Sequence, residues 1–503
     1  MIRSGAHLPQ GFDARADVCV IGSGAGGGVA AAIMAEAGRE ILILEEGQRV
    51  RTPQLNQREE QMYNLLYRDG GQQMTDDGGI SVLQGRTLGG STVINMSDVT
   101  EIPEAVWAHW RARYRFDRYG RADIEAAVAA CRQAIAANPI QPEQLNRNAR
   151  LLLEGGASLG IAGGAFEHNR VGCVGSGYCL IGCAYDAKRT VAHTWIPRAL
   201  ATGRALVQTD ARVERLEHDH RRIVAAHGHL LDPVRQTPLA PFTVRADRYV
   251  LAAGAIHSPL VLLASGVGNA HVGRNLTLQP QGAALAVFDH EVIHFRGIPQ
   301  GAYLDGYESI TEEHGLAGFR LESVSATPGM AAATLTAWGD DMARFMAMTR
   351  RSGACLCLVP DRPNGRVLRG RDGRPRIRYH YAKDWADTFR AATRTAAEVY
   401  LAAGAEAVHL PFVGLPPVHS VSDLSRLERM PVRACSVSLI SAHPQGTCRA
   451  GPDGAHGVVD NDLFVHGLDN LQVLDASVFP TSAASHTMLP VMTMAWLGAH
   501  ERL

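Results

Sequence analysis

Six residues, Gly22-Ser23-Gly24-Ala25-Gly26-Gly27, restrict this chain more than any others. They follow a short apolar run, Asp17-Val18-Cys19-Val20-Ile21, which reads as a buried parallel strand. Small residues come next (Gly28, Ala30, Ala31, Ala32, Ala35), predicting a helix that packs closely on a sheet. A second apolar run, Ile41-Leu42-Ile43-Leu44, then ends at Glu45. Strand, glycines, helix, strand and acid occur in the order that a dinucleotide requires. Gly22, Gly24 and Gly27 let the backbone turn tightly and approach a pyrophosphate. The helix N-terminus offers free N–H groups, and Glu45 can accept hydrogen bonds from an adenosine ribose. The pattern by itself fits FAD and NAD alike. The acid at position 45 argues against a 2′-phosphate.

A second glycine block, Gly85-Arg86-Thr87-Leu88-Gly89-Gly90-Ser91-Thr92-Val93-Ile94-Asn95, implies another stretch of backbone laid against a large ligand. The remaining composition narrows the class. With 49 Lys+Arg against 50 Asp+Glu, no global field attracts nucleic acid or an anionic membrane. At 503 residues the chain exceeds what one core supports, so two or more domains are expected. The N-terminal stretch has no secretory apolar region, and no run is long enough to span a membrane. Nine cysteines, an odd number, do not suggest a disulfide framework, so a cytoplasmic location is expected.

The second block resembles the signature of the glucose–methanol–choline (GMC) oxidoreductases, FAD enzymes that oxidise alcohols. The resemblance continues in Tyr249-Val250-Leu251-Ala252-Ala253-Gly254-Ala255, which is similar to the family's strand and turn returning to the flavin. It continues again in Val272-Gly273-Arg274-Asn275-Leu276 and through the last sixty residues. It implies cofactor contacts from Gly22, Gly24, Gly27, Glu45, Gly89, Gly90, Ser91, Asn95, Ala253, Gly254, Asp475 and Ala476. Some members attach FAD through a histidine just before the asparagine of the second block. Ile94 stands there, so non-covalent FAD is expected.

Ser441-Ala442-His443-Pro444-Gln445-Gly446 resembles the family's His-Pro block, and Val473-Leu474-Asp475-Ala476 its flavin-touching strand end. The family carries a second His or Asn further on. His486 takes that place here, although another register would put Leu489 there. Alcohol oxidation removes a hydroxyl proton and moves a hydride to flavin N5. A neutral imidazole accepts the proton at working pH, and a second polar group holds the oxygen as alkoxide character develops. His443 is therefore expected to be the base and His486 its partner.

Cys173, Cys179 and Cys183 fall within eleven residues, spaced C-x5-C-x3-C. Three readings stand: small residues in a Gly-rich loop, the three thiolates of an iron–sulfur cluster, or a redox pair. Ser176 occupies the place of a second cysteine in a ferredoxin-like run.

The expected fold is α/β. A doubly wound (Rossmann-like) FAD-binding domain takes residues 10–100, 190–290 and 440–503. A discontinuous α+β substrate domain takes 291–439, and a helical, Cys-rich segment connects them over 100–190. The expected activity is oxidation of a small-molecule alcohol, with a quinone or cytochrome as a candidate electron acceptor. Hydroxynitrile-lyase chemistry on the same scaffold is the alternative, and a flavin-binding protein without catalysis is a third.

Overall fold

Val18, Cys19, Val20 and Ile21 are all buried, as a strand covered on both faces must be. Their strand, Phe12–Ile21, lies at the centre of an eight-stranded sheet in the computed structural model, which describes residues 1–8, 10–311 and 315–502. Ile41–Leu44 pairs parallel to it on one side, followed by Ala205–Thr209 and Ile2–Ser4. Pro238–Leu251 pairs parallel on the other side. That long strand carries Leu471–Val473 along one stretch and the antiparallel Arg222–Leu231 along another, with Ala211–Asp219 paired in turn to Arg222–Leu231. The helix Ala25–Glu36 follows the first glycine loop and packs against the final helix, Met488–Ala499, and against Trp195–Ala201. This is the Rossmann-like α/β layer expected from the sequence.

A second eight-stranded sheet is mainly antiparallel, in the order Ile80–Val82, Leu439–Ser441, Gln281–Val287, Ser352–Leu358, Arg320–Ser323, Ala302–Leu304, Gly163–Ala165. Ala407–His409 pairs with Gln281–Val287 off that path. Its strands alternate cleanly. Ala284, Ala286, Cys355 and Cys357 face a core shared with the helix Lys383–Ala402. Leu285, Val287, Ala354 and Leu356 point the other way, towards Phe345 of the helix Asp340–Ala347. Three of these strands lie wholly in ranges that the sequence reading placed elsewhere, and Leu439–Ser441 straddles the boundary expected after 439. Ile80–Val82 and Gln281–Val287 lie in stretches given to the FAD domain, and Gly163–Ala165 in the connecting segment. The chain crosses between the two sheets at these points, so the site loops are held from both sides.

Within the segment 100–190, expected to be helical, the Ala-rich stretch forms the helix Arg121–Ala134. The basic run from 362 to 378 is a hairpin of Gly365–Arg369 and Pro375–Arg378. Among the described residues no helix is long and apolar enough to cross a membrane. Phe389 of Lys383–Ala402 is fully buried and stacks on Trp385 at 5.2 Å. Phe389→Ala should cost about 3–5 kcal/mol of stability, read as a lower calorimetric Tm or denaturant midpoint.

Candidate active site

Each glycine of the first loop meets a different constraint. Gly22 has φ +99°, and a Cβ there would lie 2.3 Å from the carbonyl oxygen of Ala252. A Cβ on Gly27 would lie 2.0 Å from the carbonyl oxygen of Gly22. Gly24 differs: its added Cβ would meet only the Cα of Gly90, at 3.9 Å. The two glycine loops therefore touch backbone to backbone, as a thin wall beside a cavity. Ser23 ties them together. Its Oγ donates to Glu45 and accepts from the N–H of Gly89 at 3.0 Å. Glu45 also accepts from the N–H groups of Ser23 and Gly47.

A cavity of about 970 Å³ runs from this wall to the second sheet. Of the twelve residues implied as cofactor contacts, Gly22, Gly24, Glu45, Gly90, Ser91, Asn95, Ala253, Gly254, Asp475 and Ala476 line it. Gly27 and Gly89 do not; they pack behind the loops. Asp475 fixes the opposite wall, accepting from the N–H groups of Gly254 (2.9 Å) and Ser477 (2.8 Å) and from the Ser258 hydroxyl. The helix Ala25–Glu36 begins at Gly24 with no side-chain cap. Its first N–H groups open on the same cavity, where phosphate oxygens would satisfy them. These features fit a dinucleotide with its pyrophosphate at Gly24 and its ring system towards Asn95, Ala253 and Ala476.

His443 and His486 meet at the far end, with ring centroids 5.3 Å apart. His443 follows the strand Leu439–Ser441, and its backbone N–H donates to the Ser441 hydroxyl. Its Nδ1 lies 3.1 Å from the Gln281 side-chain amide. Burial, helped by the charge of His486, pushes its pKa down to about 3 against an opposing pull from Glu322. The ring is thus neutral at working pH.

His486 sits in the turn before the last helix, its backbone N–H donating to Thr100 Oγ1. Its Nε2 lies 3.0 and 2.9 Å from the two oxygens of Glu322, a carboxylate only 1% exposed. Its Nδ1 is 3.7 Å from Asp98. Burial opposes the charged ring, but Glu322 and Asp98 outweigh it and raise the pKa of His486. Burial raises the Asp98 carboxyl to about 7, while His486 and Arg170 act the other way.

Sequence reasoning missed Glu322, Asp98 and Gln281. All three lie on strands outside the motifs read from the sequence: Asp98 just past the second glycine block, Gln281 just past the segment 272–276 and Glu322 within the stretch 291–439. The one signal available was a carboxylate set among residues that the alternation of the strand buries. Sequence reasoning also missed the bidentate pair of Arg68 with Glu46, both contacts 2.7 Å, on the cavity wall next to Glu45.

The three-thiolate reading of Cys173, Cys179 and Cys183 is not formed. Among the described residues no group of three or more His, Cys, Asp or Glu side chains is arranged to hold a metal. The thiols have other neighbours: Cys173 Sγ accepts from the Gly175 N–H at 3.4 Å, and Cys179 Sγ lies 3.8 Å from Arg170. All nine cysteines are free. The loop instead brings in buried Lys188, whose Nζ donates to the carbonyl oxygens of Asn95 and Cys179, both at 2.8 Å. It thus braces the backbone of the second glycine block.

Comparison with known proteins decides the family. The N-terminal GMC oxidoreductase family model matches residues 63–281, and the C-terminal one residues 361–495. An uncharacterized GMC-type oxidoreductase of Mycobacterium tuberculosis is 31% identical over 96% of this chain and 75% of its own length. The chain belongs to the GMC oxidoreductase family. A long-chain-alcohol oxidase of Arabidopsis thaliana is 27% identical, with 96% of this chain and 67% of that protein covered. Among solved structures, pyridoxine 4-oxidase from Mesorbium loti superposes with a TM-score of 0.73 at 20% identity, over 97% of this chain and 99% of that one. As a GMC oxidoreductase the chain binds FAD and acts on CH–OH donors. The alcohol and pyridoxine oxidases among its relatives support alcohol oxidation in general.

Proposed function

We propose that this GMC oxidoreductase oxidises the CH–OH group of an alcohol with an apolar body, with His443 as the base. The observation that carries the reading is a buried His443, its ring centroid 5.3 Å from that of His486, in the same cavity as both glycine loops. When bound, FAD supplies a hydride acceptor for the carbinol carbon. The hydroxyl proton passes to His443 Nε2 while the carbinol C–H pair leaves as hydride, and the C=O double bond forms. For Nε2 to accept, Nδ1 must carry the ring hydrogen. The Gln281 amide nitrogen lies 3.1 Å from Nδ1, and a half-turn of that amide about its terminal bond would bring Oε1 to Nδ1–H and hold this tautomer. Gly24 and the uncapped helix start receive the pyrophosphate. Ile94, which has no nucleophilic atom, leaves the cofactor non-covalently held.

The substrate end is mostly apolar, its polar members besides the histidines including Gln281, Gln300 and Ser325. Ala283, Leu285, Val324, Ala354, Leu356 and Ile440 line it from one face of the second sheet. Such a wall buries a hydrocarbon and leaves the extra hydroxyls of a sugar without partners. Leu285→Asn should therefore lower kcat/KM for decanol by about 10- to 200-fold, with little change for ethanol. Equal losses on both alcohols would count against the apolar reading. The electron acceptor is tested by comparing peroxide release with reduction of an added quinone or cytochrome. A non-redox lyase is separated by whether the alcohol bleaches the flavin under anaerobic conditions.

A further inference from the structure

The contacts around His486 assign it a role other than direct hydrogen bonding to substrate through Nε2. We propose that Glu322 is a positioning residue that holds His486 as an imidazolium, so that a fixed positive charge stands beside the alkoxide formed at His443. This deepens the proposed function and rests on His443 being the base.

Nε2 of His486 faces both oxygens of Glu322, at 2.9 and 3.0 Å, with the carboxylate almost fully buried. A bare nitrogen lone pair facing a buried carboxylate would be repulsive, so Nε2 carries a hydrogen. Asp98 lies 3.7 Å from the other nitrogen, but with its carboxyl raised to about 7 it carries only part of a negative charge at neutral pH, so Glu322 is the main counter-charge. Gln300 Nε2 donates to Glu322 Oε2 at 2.6 Å and fixes the carboxylate. Arg320, beside Glu322 on the same strand, is 4.0 Å from it but makes its close pair with Glu308 at 2.8 Å. Arg170 stands behind Asp98, and His443 closes the set. The ionised carboxylate of Glu322 and the charged ring support each other: burial disfavours both, and their attraction outweighs it.

Two consequences follow for the reaction. The charge on His486 lowers the proton affinity of His443, which leaves that ring neutral before reaction but makes it a weaker base, and the negative charge of Glu322 offsets part of this. The same charge favours the oxygen as it loses its proton.

The test uses FAD-loaded protein labelled with ¹⁵N in the histidine rings, with the His486 signals identified by their loss in His486→Asn. At pH 7 the wild-type ring should show two protonated nitrogens. In Glu322→Gln it should show a neutral imidazole at the same pH. The variant's kcat should fall about 10²–10³-fold, with flavin content unchanged, and Glu322→Asp should recover part of the loss. The alkaline limb of its kcat profile should move to lower pH, because a ring that has lost its partner gives up its proton sooner. A neutral wild-type ring would overturn the proposal, and this needs no variant to fold. A ring still cationic in Glu322→Gln would overturn the part given to Glu322. An active His443→Ala enzyme would instead overturn the base, whatever the ring signals show.

Discussion

His443→Ala should lower kcat by roughly 10²–10⁴-fold, the range for losing a general base, while the purified protein keeps its full flavin content. The site separates these two outcomes. His443 lies at the far end of the cavity from Gly24, where the pyrophosphate is expected, and its one close polar side-chain partner is Gln281. Removing the imidazole therefore leaves both glycine loops and the Asp475 brace intact. It also leaves His486 with Glu322, so the site keeps a positive charge but has no group to take the proton. The pH dependence gives an independent check. Burial holds the His443 pKa near 3, so the ring stays neutral from mild acid upwards. The wild-type acid limb set by this group should consequently lie well below the ordinary histidine range. Stopped-flow reduction by decanol, read at several pH values in both proteins, measures both effects. A variant with near-native reduction rates would sink the assignment.

Gly24→Val should yield folded protein without flavin. The prediction depends on Gly24 differing from its neighbours. A side chain at Gly26 would collide with the carbonyl oxygen of Leu474, at 1.7 Å, and one at Gly22 with that of Ala252. Substitution at either would disturb the sheet itself. Gly24 has an extended backbone (φ −71°, ψ −161°) that valine also adopts, and open space beside Gly90. That space is the place proposed for the pyrophosphate, so the valine methyl groups would occupy it. The expected result is a circular dichroism spectrum and Tm close to those of the wild-type apoprotein, with no flavin absorbance even after incubation with FAD. Retention of stoichiometric FAD would contradict the placement of the pyrophosphate.

The parts of this molecule that were legible in its sequence are those where one backbone geometry demands particular residue types. A βαβ turn against a pyrophosphate needs glycines at fixed spacing, so residues 17 to 45 announced their fold. The catalytic end was legible only through resemblance, since a histidine before a proline has no geometric signature of its own. Glu322 stayed hidden for a physical reason. Its partner lies 164 positions away, and the strand carrying it resembles any half-buried strand with one charged residue. Gln281 was equally silent, because its role depends on pairing of its strand with Ser352–Leu358 and on the approach of Leu439–Ser441. The cysteine spacing was compatible with a metal, and yet the fold spends that loop on bracing Asn95 through Lys188. Spacing along a loop fixes which thiols could converge, whereas the turns between them decide whether they do.

The most direct test of the central claim is anaerobic titration of the FAD-loaded protein with decanol, following flavin absorbance and aldehyde together. The account predicts bleaching of the flavin bands with one aldehyde formed per flavin reduced. Aldehyde-free protein whose flavin stays oxidised at saturating alcohol, or product released without any bleaching, would contradict it.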